Sequence, residues 1–426
     1  MNFDRMRALL LDQAIRGKLV PQLDSEEAVE QIGEVSANVL FEIPNKWKWV
    51  KLNNLLLKHL GGGTPSKSNA TFWNGDIPWA SVKDLKGTVL SSTQDSITEQ
   101  GLNNSSSNLI PAGTVIVCTR IGLGKIAINT VPMAINQDLR ALFLSEKIDK
   151  NYFLYLYSGM KIEGAGTTVK GIKLSELLNL LIPLPPLEEQ VRIVAKLDEA
   201  FAEIDRAEKA YQELQTLSGV LRGQILQEAI QGKLVPQLDS EEEVQQIGDV
   251  PKEVPFDIPE KWKWYSAKDV YQLLSGRDLT KSEILEIQPN EQSFPYITGA
   301  SQIHDSSIVI NRWTKECVVK SQIGDLLLTC KGTVGKTAIN TVGDLHIARQ
   351  IMALRPNKSV MSVAFLRLFI DTLSKRLARE AKSMIPGIDR KALMSKPVPV
   401  PPLQEQKRIV EMVEELFKQV EALSSK

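Results

Sequence analysis

Apolar residues recur at helical spacing through the middle of the chain. From Leu187 the spacing alternates between three and four residues, at Val194, Leu197, Phe201, Ile204, Ala207, Tyr211, Leu214, Leu217, Leu221 and Ile225. This is typical of one face of a long amphipathic helix and is close to a coiled-coil seam. Pro185 and Pro186 stop any helix before it, and Gly232 with Pro236 ends it. The pattern predicts a helix over about residues 187–231, roughly 65 Å long at about 1.5 Å per residue.

The C-terminal segment repeats the start of this helix. IPLPPLEEQVRIV at 182–194 returns as VPVPPLQEQKRIV at 398–410. The seam positions Val194, Leu197, Phe201 and Ile204 match Val410, Val413, Phe417 and Val420. Lys426 corresponds to Ala210 and Met1 to Thr216, so the N-terminal segment resumes the repeat almost where the C-terminal segment leaves it. We therefore expect a pseudo-two-fold, circular internal repeat, in which the two terminal segments together form a second apolar rod against the central helix.

One segment of the chain occurs twice in identical form. GKLVPQLDSEE stands at 17–27 and again at 232–242, and KWKW at 46–49 recurs at 261–264, in both cases 215 positions later. Solenoid repeats have periods of roughly 20–50 residues, so this spacing excludes a solenoid. The chain is predicted to consist of two large, equivalent halves.

β-Branched and apolar runs fill the segments between the helical patterns. GTVIVCTRIGLGKIAIN at 113–129 matches GDLLLTCKGTVGKTAIN at 324–340. Such runs, bounded by Gly, Asn and Pro, predict mostly strands. Helical patterns follow late in each segment, near 150–160 and 363–382. Two β-rich modules with one shared architecture and diverged loops are therefore expected.

The net charge of zero conceals an uneven distribution. Residues 45–182 carry +6 and residues 260–397 carry +8, whereas the remaining stretches carry −14. Two basic modules on an acidic frame indicate a polyanionic partner, with ordinary surface variation as the alternative. The sequence contains no run of about 18 apolar residues, so no membrane span is predicted, and the acidic residues near the N-terminus disfavour a signal peptide. The 3 cysteines form no CxxC pair, which favours a reducing cytoplasm.

A Gly-rich turn in each module carries two cations. Arg120 and Lys125 in the first module match Lys331 and Lys336 in the second. A P-loop would need Gly where Cys330 stands, and the first copy lacks the Ser or Thr that would hold magnesium, so nucleotide binding is disfavoured. The turns are predicted to contact phosphates or base edges of a nucleic acid, with a solvated turn as the alternative.

A second candidate loop is rich in glycine and hydroxyl groups. GGGTPSKSN at 61–69 is expected to be flexible, and either to follow a phosphate backbone or to be a simple turn. Its counterpart at 275–281, SGRDLTK, has a different sequence, as expected if each module recognises something different. The nucleic-acid contacts predicted from these loops and the segment after the first are Thr64, Ser66, Lys67, Lys83, Arg277 and Lys281. The tryptophans of the two KWKW motifs, Trp47, Trp49, Trp262 and Trp264, are predicted mainly to pack in the interior.

No constellation of residues indicates catalysis. His59, His304 and His346 lie outside the repeat and beside no evident nucleophile, and no His/Cys cluster has metal-ligand spacing. Asp138 and Asp325 are single acids without a matching partner set. No GxGxxG opens a helix after a strand, so no cofactor fingerprint is present. The sequence predicts a chain that performs no chemistry itself.

The motifs taken together resemble a known family. They are the Pro-rich helix entries PLPPLEEQVRIV and PVPPLQEQKRIV, GKLVPQ at the helix exit, KWKW at the module entry, and GGGTPSKSNATFWNGDIPWASVKDL. Over essentially its whole length the chain resembles the specificity (S) subunits of type I restriction–modification systems. The last phrase looks like a target recognition domain. GGGTPS occurs only in the first module, so base contacts do not transfer to the second.

The resemblance implies an α+β fold with two β-rich, mixed target recognition domains separated by long antiparallel coiled-coil helices. The expected parts are an N-terminal helix and linker (1–44), recognition domain 1 (45–182), a central helical region and linker (183–259), recognition domain 2 (260–397) and a C-terminal helix (398–426).

The resemblance also implies which partners the chain has, and two alternatives remain. Each recognition domain would read one half of a bipartite sequence in double-stranded DNA, and the helical regions, with their seams, would dock two methyltransferase (M) subunits. Restriction/motor (R) subunits would join, and S-adenosylmethionine, ATP and magnesium would be bound by those partners in the cytoplasm, without a membrane. A non-catalytic scaffold with two protein-binding modules is one alternative. A fused DNA adenine methyltransferase or nuclease is disfavoured, because the chain has neither an Asn/Asp-Pro-Pro-Tyr/Phe motif nor a Gly-rich cofactor loop.

Overall fold

The apolar stripe predicted from the sequence forms a helix of 44 residues, Leu187–Ile230. The computed structural model describes residues 1–35, 39–164, 171–287, 293–380 and 387–425. It divides into two units, Met1–Ala210 and Tyr211–Lys426, so each unit includes part of the long helix. Both units combine helices with β-sheets. The mixed α+β fold and the long helix are confirmed.

The first unit contains a β-rich module preceded and followed by helix. Its helices are α1 (Phe3–Ile15), α2 (Glu99–Asn103), α3 (Lys150–Gly159), α4 (Leu174–Leu178) and the start of α5 (Leu187–Ile230). Its strands are β1 (Lys48–Lys51), β2 (Leu56–Gly61), β3 (Trp73–Ala80), β4 (Val89–Leu90), β5 (Asp95–Ile97), β6 (Asn108–Ile110), β7 (Val115–Cys118), β8 (Ile126–Asn129), β9 (Met133–Ile135), β10 (Leu139–Leu144) and β11 (Leu181–Leu184). Helix α3 confirms the helical pattern predicted near 150–160.

Two sheets form the body of the first module. One has the strand order β2-β10-β7-β8-β4 and the other β5-β3-β9-β6, in which β3 and β9 are parallel. Strand β7 reads VIVC and is buried on both faces. Val115 and Val117 contribute to the core that contains α3 and α5, whereas Ile116 and Cys118 contribute to the core between the sheets. A continuous apolar run is what a strand covered on both faces requires.

The second unit repeats this arrangement. After the end of α5, its helices are α6 (Ala267–Val270), α7 (Val363–Glu380), α8 (Arg390–Met394) and α9 (Leu403–Ser425). Its strands are β12 (Lys263–Ser266), β13 (Tyr271–Ser275), β14 (Ile284–Leu285), β15 (Phe294–Ile297), β16 (Ile303–His304), β17 (Ser307–Ile308), β18 (Trp313–Thr314), β19 (Lys320–Ser321), β20 (Leu326–Thr329), β21 (Thr337–Ile339), β22 (Leu345–Ile347), β23 (Ile351–Pro356) and β24 (Pro397–Val400). Helix α7 confirms the helical pattern predicted near 363–382, of which residues 381 and 382 lie outside the described residues.

The sheets of the second unit follow the same plan with different lengths. One sheet has the order β13-β23-β20-β21 and another β14-β18-β15-β22-β19, in which β15 and β22 are parallel. Strand β20 divides its side chains as β7 does: Leu326 and Leu328 face the core with α7 and α9, and Leu327 faces the core between the sheets. The parallel pair β15/β22 matches β3/β9 in the first unit. The two modules therefore share one frame.

The identical segments 17–27 and 232–242 have the same local structure, which we call the clip. Gly17 follows α1 with a φ of 66°, and Gly232 follows α5 with a φ of 68°. A Cβ at Gly17 would lie 2.6 Å from Pro44 Cδ, and one at Gly232 would lie 2.7 Å from Pro259 Cδ. A left-handed backbone conformation with a proline ring at that distance admits only glycine. The clip thus ends a helix and brings the chain against the entry to each module.

Three carbonyl groups of each clip bind one lysine of the KWKW motif. Lys46 Nζ donates to the backbone oxygens of Leu23, Asp24 and Glu26 at 2.6, 3.2 and 2.6 Å. In the second unit, Lys261 Nζ makes the equivalent bonds to the oxygens of residues 238, 239 and 241. The tryptophans of both motifs are buried, which confirms their predicted packing role. The repeated phrases 17–27 and 46–49 are therefore repeated because they form one interlocked structure.

An ion pair ties each clip to the Pro-rich helix entry. Arg192 donates to both carboxylate oxygens of the buried Glu26 at 2.7–2.9 Å, and Arg408 binds Glu241 in the same way. Glu189 is buried beside this pair, and burial raises the pKa of its carboxyl group. A charged pair with bidentate geometry is the arrangement in which a buried carboxylate is tolerated.

Candidate nucleic-acid interface

The Gly-rich loop of the first module is held in place by the parallel strand pair. A Cβ on Gly62 would approach the carbonyl oxygens of Ile135 and Asn136 closer than 3.0 Å. Gly63 N donates to Ile135 O at 3.0 Å, and Gly63 O accepts from Trp79 Nε1 at 3.0 Å. The glycines therefore allow the start of the loop to pack directly on backbone atoms, and the flexibility predicted for the loop as a whole stays a prediction.

The loop meets the residues that connect β9 to β10. We call residues 136–138 the first tip and the corresponding residues 348–350, between β22 and β23, the second tip. Thr64 Oγ1 donates a hydrogen bond to Gln137 Oε1. Gln137 is exposed, whereas Asn136 is buried and its Oδ1 accepts from the Asp138 N–H at 3.1 Å. The tip is therefore a rigid support for one exposed amide side chain.

An open groove next to the first tip is lined by three of the six contacts predicted for this module, Thr64, Lys67 and Lys83. Lys67 and Lys83 are exposed and line the groove together with Thr64. The other lining residues are Gly63, Trp73, Trp79, Ser81, Asp95, Ser106, Asn136, Gln137 and Asp138. Ser66 is exposed just outside this set, and its carbonyl accepts from Trp73 Nε1 at 3.2 Å. Two ammonium groups beside a polar, aromatic-walled groove suit a phosphate backbone with a base edge.

The Gly-rich turn of the first module lies between β7 and β8 and reaches the same tip. Arg120 Nη1 lies 3.4 Å from Asp138 Oδ1, and Arg120 is 53% exposed. Asp138 O also accepts from the Thr119 N–H at 2.8 Å. Lys125 is exposed at the other end of the turn. The structure thus brings Thr64, Lys67, Lys83 and Arg120 to one region.

In the second unit the equivalent loop carries a charged pair. Arg277 N donates to Ile347 O at 2.9 Å, as Gly63 N does to Ile135 O. Asp278 then forms an ion pair with Arg349 of the second tip, with 2.7 Å between Oδ2 and Nε. Arg277 is exposed, and Lys281 is exposed at the start of a 3₁₀ turn, Lys281–Glu283.

The two lysines predicted in the second Gly-rich turn differ in their surroundings. Lys331 is exposed. Lys336 Nζ donates to the backbone oxygens of Ala300 and Ile303 at 3.2 and 3.0 Å. An ammonium that already binds two carbonyls holds the 300–303 segment in place, so Lys336 has a structural role that the sequence did not indicate.

Several residues of the site were missed by sequence reasoning. Gln137 and Arg349 stand at the tips, and the only sequence signal for them was their position after the β9 and β22 patterns. The sequence was interpreted as leaving Asp138 and Asp325 single acids, but each has an arginine partner. Arg120 lies beside Asp138, and Arg355 donates to Asp325 through Nε and Nη2 at 2.9 Å each.

His346 is part of the frame of the second module. Its Nδ1 accepts from the Val319 N–H at 3.1 Å, so Nε2 carries the proton and donates to Arg277 O at 2.8 Å. The ring packs against Tyr296 with 5.2 Å between centroids. Burial lowers the pKa of His346, which favours this neutral form. The imidazole therefore fixes the loop that carries Arg277 and Asp278.

The predicted helix seams lie inside the units. Leu197, Ile204, Val413 and Val420 are between 0 and 6% exposed, and Val194, Phe201, Val410 and Phe417 are partly buried against the same cores. Phe201 packs edge-on against Tyr155 of α3 at 5.5 Å. A partner subunit cannot reach the four buried side chains, because helices of the recognition modules contribute to the cores that cover them. The structure gives the seam residues a packing role, and the docking role predicted for them stays a prediction.

Two other kinds of feature are absent from the described residues. In the parts of the chain that the structure describes, no group of three or more His, Cys, Asp or Glu side chains is arranged to hold a metal ion. Within those same parts, no helix has the length and hydropathy needed to span a membrane.

Comparison with known proteins identifies the two modules. The family model described as type I restriction modification DNA specificity domain matches residues 44–216 and again 259–426, which is well over half of the chain. A curated relative, the type I restriction enzyme EcoR124I/EcoR124II specificity subunit of Escherichia coli, is 38% identical over 177 residues. That alignment covers 39% of this chain and 41% of the relative, so it spans less than half of the relative's length.

Solved structures show the same fold over most of the chain. A chain of a structure described as the structural basis of complex assembly and conformational transition of the type I R-M system has a TM-score of 0.71 at 23% identity, over 90% of this chain and 93% of that one. The HsdS subunit from Thermoanaerobacter tengcongensis has a TM-score of 0.54 at 22% identity, over 90% and 92% of the two chains. With the doubled match to the family model, the chain belongs to the family of type I restriction modification DNA specificity domains.

Proposed function

We propose that this chain is the DNA sequence-specificity subunit of a type I restriction–modification complex. The observation that carries the proposal is the doubled family match, with each copy falling on a basic module that has the same loop-and-tip frame. The side chains at the two tips differ, which suits two modules that read different sequences. Each module would therefore read one half of a bipartite target in double-stranded DNA.

The chain would recognise DNA and leave the chemistry to its partners. The side chains at the tips are amides and ion pairs, which suit recognition rather than acid–base or nucleophilic chemistry. Methyl transfer would be performed by two methyltransferase subunits that bind S-adenosylmethionine, and ATP and magnesium would be used by restriction subunits. Such a complex would act on DNA in the cytoplasm.

The methyltransferase subunits would dock on the outward faces of the helices. On α5, Leu217, Val220 and Leu221 are 65, 54 and 41% exposed. On α1, Met6 and Leu9 are 45 and 60% exposed. Apolar side chains in such a row on a helix are typical of protein–protein contacts. On each of these helices, the exposed apolar side chains rather than the four buried seam residues are the ones that partner subunits would contact.

The salt dependence of DNA binding tests the proposal. We expect log K for a duplex to fall linearly with log salt, and each phosphate contact that is removed should reduce the slope by about 0.9. The double substitution Lys67→Ala, Lys83→Ala should reduce it by roughly two, whereas Lys18→Ala, an exposed lysine of the clip, should leave it unchanged. Absence of salt-dependent binding would favour a protein-binding scaffold.

Two further measurements separate the remaining alternatives. Methylome sequencing of a host with and without the gene should show one bipartite motif that depends on this chain and on its methyltransferase partner. The purified chain, given S-adenosylmethionine and DNA, should transfer no methyl groups. Methyl transfer by the chain alone would establish a fused methyltransferase and refute the proposal.

A further inference from the structure

The two tips have the same backbone frame and different exposed side chains. Four backbone hydrogen bonds that occur in both units define that frame. In the first unit they run from Asn136 N to Ala80 O, Gly63 N to Ile135 O, Leu139 N to Asn136 O and Thr119 N to Asp138 O. In the second unit the matching bonds, in the same order, run from Ala348 N to Ile297 O, Arg277 N to Ile347 O, Ile351 N to Ala348 O and Cys330 N to Gln350 O. These pairs make Gln137 equivalent to Arg349 and Thr64 equivalent to Asp278. Gln137 and Arg349 thus occupy the same position in the frame and are each contacted from the same neighbouring position, while their side chains differ in chemistry.

The support leaves the recognition atoms of Gln137 free. Thr64 donates to Oε1, which has two lone pairs, so one lone pair and both Nε2 hydrogens remain available in the exposed amide. An amide that accepts through oxygen and donates through nitrogen matches the N6 and N7 edge of adenine. Lys67 and Lys83 line the same groove, where they could bind the adjoining phosphates.

The support of Arg349 is also directed away from its recognition atoms. Asp278 binds Nε at 2.7 Å and accepts from the Arg349 N–H at 3.1 Å, which fixes the plane of the guanidinium group. The side chain is 68% exposed, and because Asp278 engages Nε, the two terminal nitrogens remain as a fork for a ligand. That fork matches O6 and N7 of guanine, and a carboxylate behind it reduces the entropy lost on binding.

We propose that Gln137 and Arg349 are equivalent specificity-determining residues, and that Gln137 reads an adenine in one half of the target and Arg349 a guanine in the other. Thr64 and Asp278 are the positioning residues that hold them. The inference rests on the proposed function, because it names which bases these modules read at that point of the frame.

Binding to randomised bipartite duplexes tests the inference on the complete chain. Arg349→Ala should reduce the preference for guanine at one position of one half by about 10- to 100-fold and leave all other positions unchanged. Arg349→Lys keeps the charge but removes the fork, so overall affinity should persist while the guanine preference falls. Gln137→Glu removes the donor and should abolish an adenine preference in the other half. Thr64→Val and Asp278→Asn should weaken the same positions less.

Matched controls and the wild-type chain make the outcomes distinct. Lys358→Ala and Lys18→Ala change exposed lysines away from the tips and should alter no base preference. If the wild-type chain shows no sequence preference, the proposed function itself fails. If the wild type is specific but the Gln137 and Arg349 variants keep every preference, or lose affinity equally for all bases, the inference is overturned while the proposed function stands.

Discussion

Replacing Gly17 of the clip by alanine should destabilise the first unit severely. A non-glycine residue in the left-handed region costs about 1–2 kcal/mol. The new Cβ would also lie 2.6 Å from Pro44 Cδ and 3.1 Å from Trp47 Cζ2, and overpacking of this kind costs typically about 1–3 kcal/mol. The expected loss of unfolding free energy is therefore about 2–5 kcal/mol, a large part of the roughly 5–15 kcal/mol that stabilises a domain.

Replacing a glycine of helix α5 by alanine should instead raise the free energy of unfolding. Gly223 lies within helix α5, and beyond the backbone of its own helix no heavy atom lies within 4 Å of the position a Cβ would take. Alanine there should stabilise the protein by up to about 1 kcal/mol, because glycine is the poorer helix former. Gly232→Ala provides a second copy of the experiment, since its Cβ would lie 2.7 Å from Pro259 Cδ and 3.0 Å from Trp262 Cζ2.

Urea unfolding of the full chain, followed by tryptophan fluorescence and circular dichroism, measures these differences. Trp47 and Trp262 report directly on the two clips, because each is buried against its own glycine. The expected order of stability is Gly223→Ala, then wild type, then the two clip variants at similar levels. If Gly17→Ala were as stable as Gly223→Ala, the clip would not require glycine, and the physical explanation of the repeated segment would be wrong.

Three further predictions follow from contacts described above. Burial raises the pKa of Glu189, so the wild-type protein should lose stability as the pH rises from about 4.5 through the folded-state pKa of this carboxyl group. The variant Glu189→Gln cannot ionise there, so in urea unfolding its stability relative to the wild type should grow from pH 5 to pH 8. Lys331→Ala should weaken DNA binding and leave the melting temperature unchanged, whereas Lys336→Ala should lower both, because Lys336 binds two carbonyls; equal melting temperatures would contradict this. Gly62→Ala should reduce DNA affinity by displacing the loop from the first tip, while Gly87→Ala, with open space around its Cβ position, should bind like the wild type in the same titration.

The long helix and the main strands could be predicted because their signals are local. Apolar residues at spacings of three and four specify α5, and the run VIVC specifies a strand buried on both faces. The same periodicity does not say what covers an apolar stripe. The terminal helices were expected to cover the stripe, and ion pairs do join α1 and α9 to α5, but Phe201 of the stripe packs on Tyr155 of α3. Periodicity identifies a buried face, but the packing partner depends on the tertiary fold.

The tips could not be predicted because distant segments form them. Pairing of β3 with β9 brings residue 80 next to residue 135, and pairing of β15 with β22 brings residue 297 next to residue 347. Between these strands the two modules differ in loop length, so the offset between equivalent residues changes from 217 at Ala80 and Ile297 to 212 at Asn136 and Ala348. A comparison of the two modules at one constant offset therefore does not pair Gln137 with Arg349, and the shared hydrogen bonds reveal their equivalence.

The clip has a consequence for how such chains acquire new targets. The ion pair, the lysine with its three carbonyls and the glycine against proline all join residues of the same unit. Two genes that share these eleven residues, together with Pro44, Lys46 and Arg192, would therefore keep the contacts of the clip when they exchange the segment between its two copies by recombination. In a subunit with the function proposed above, one such exchange would bring in a new half-target with the clip contacts intact.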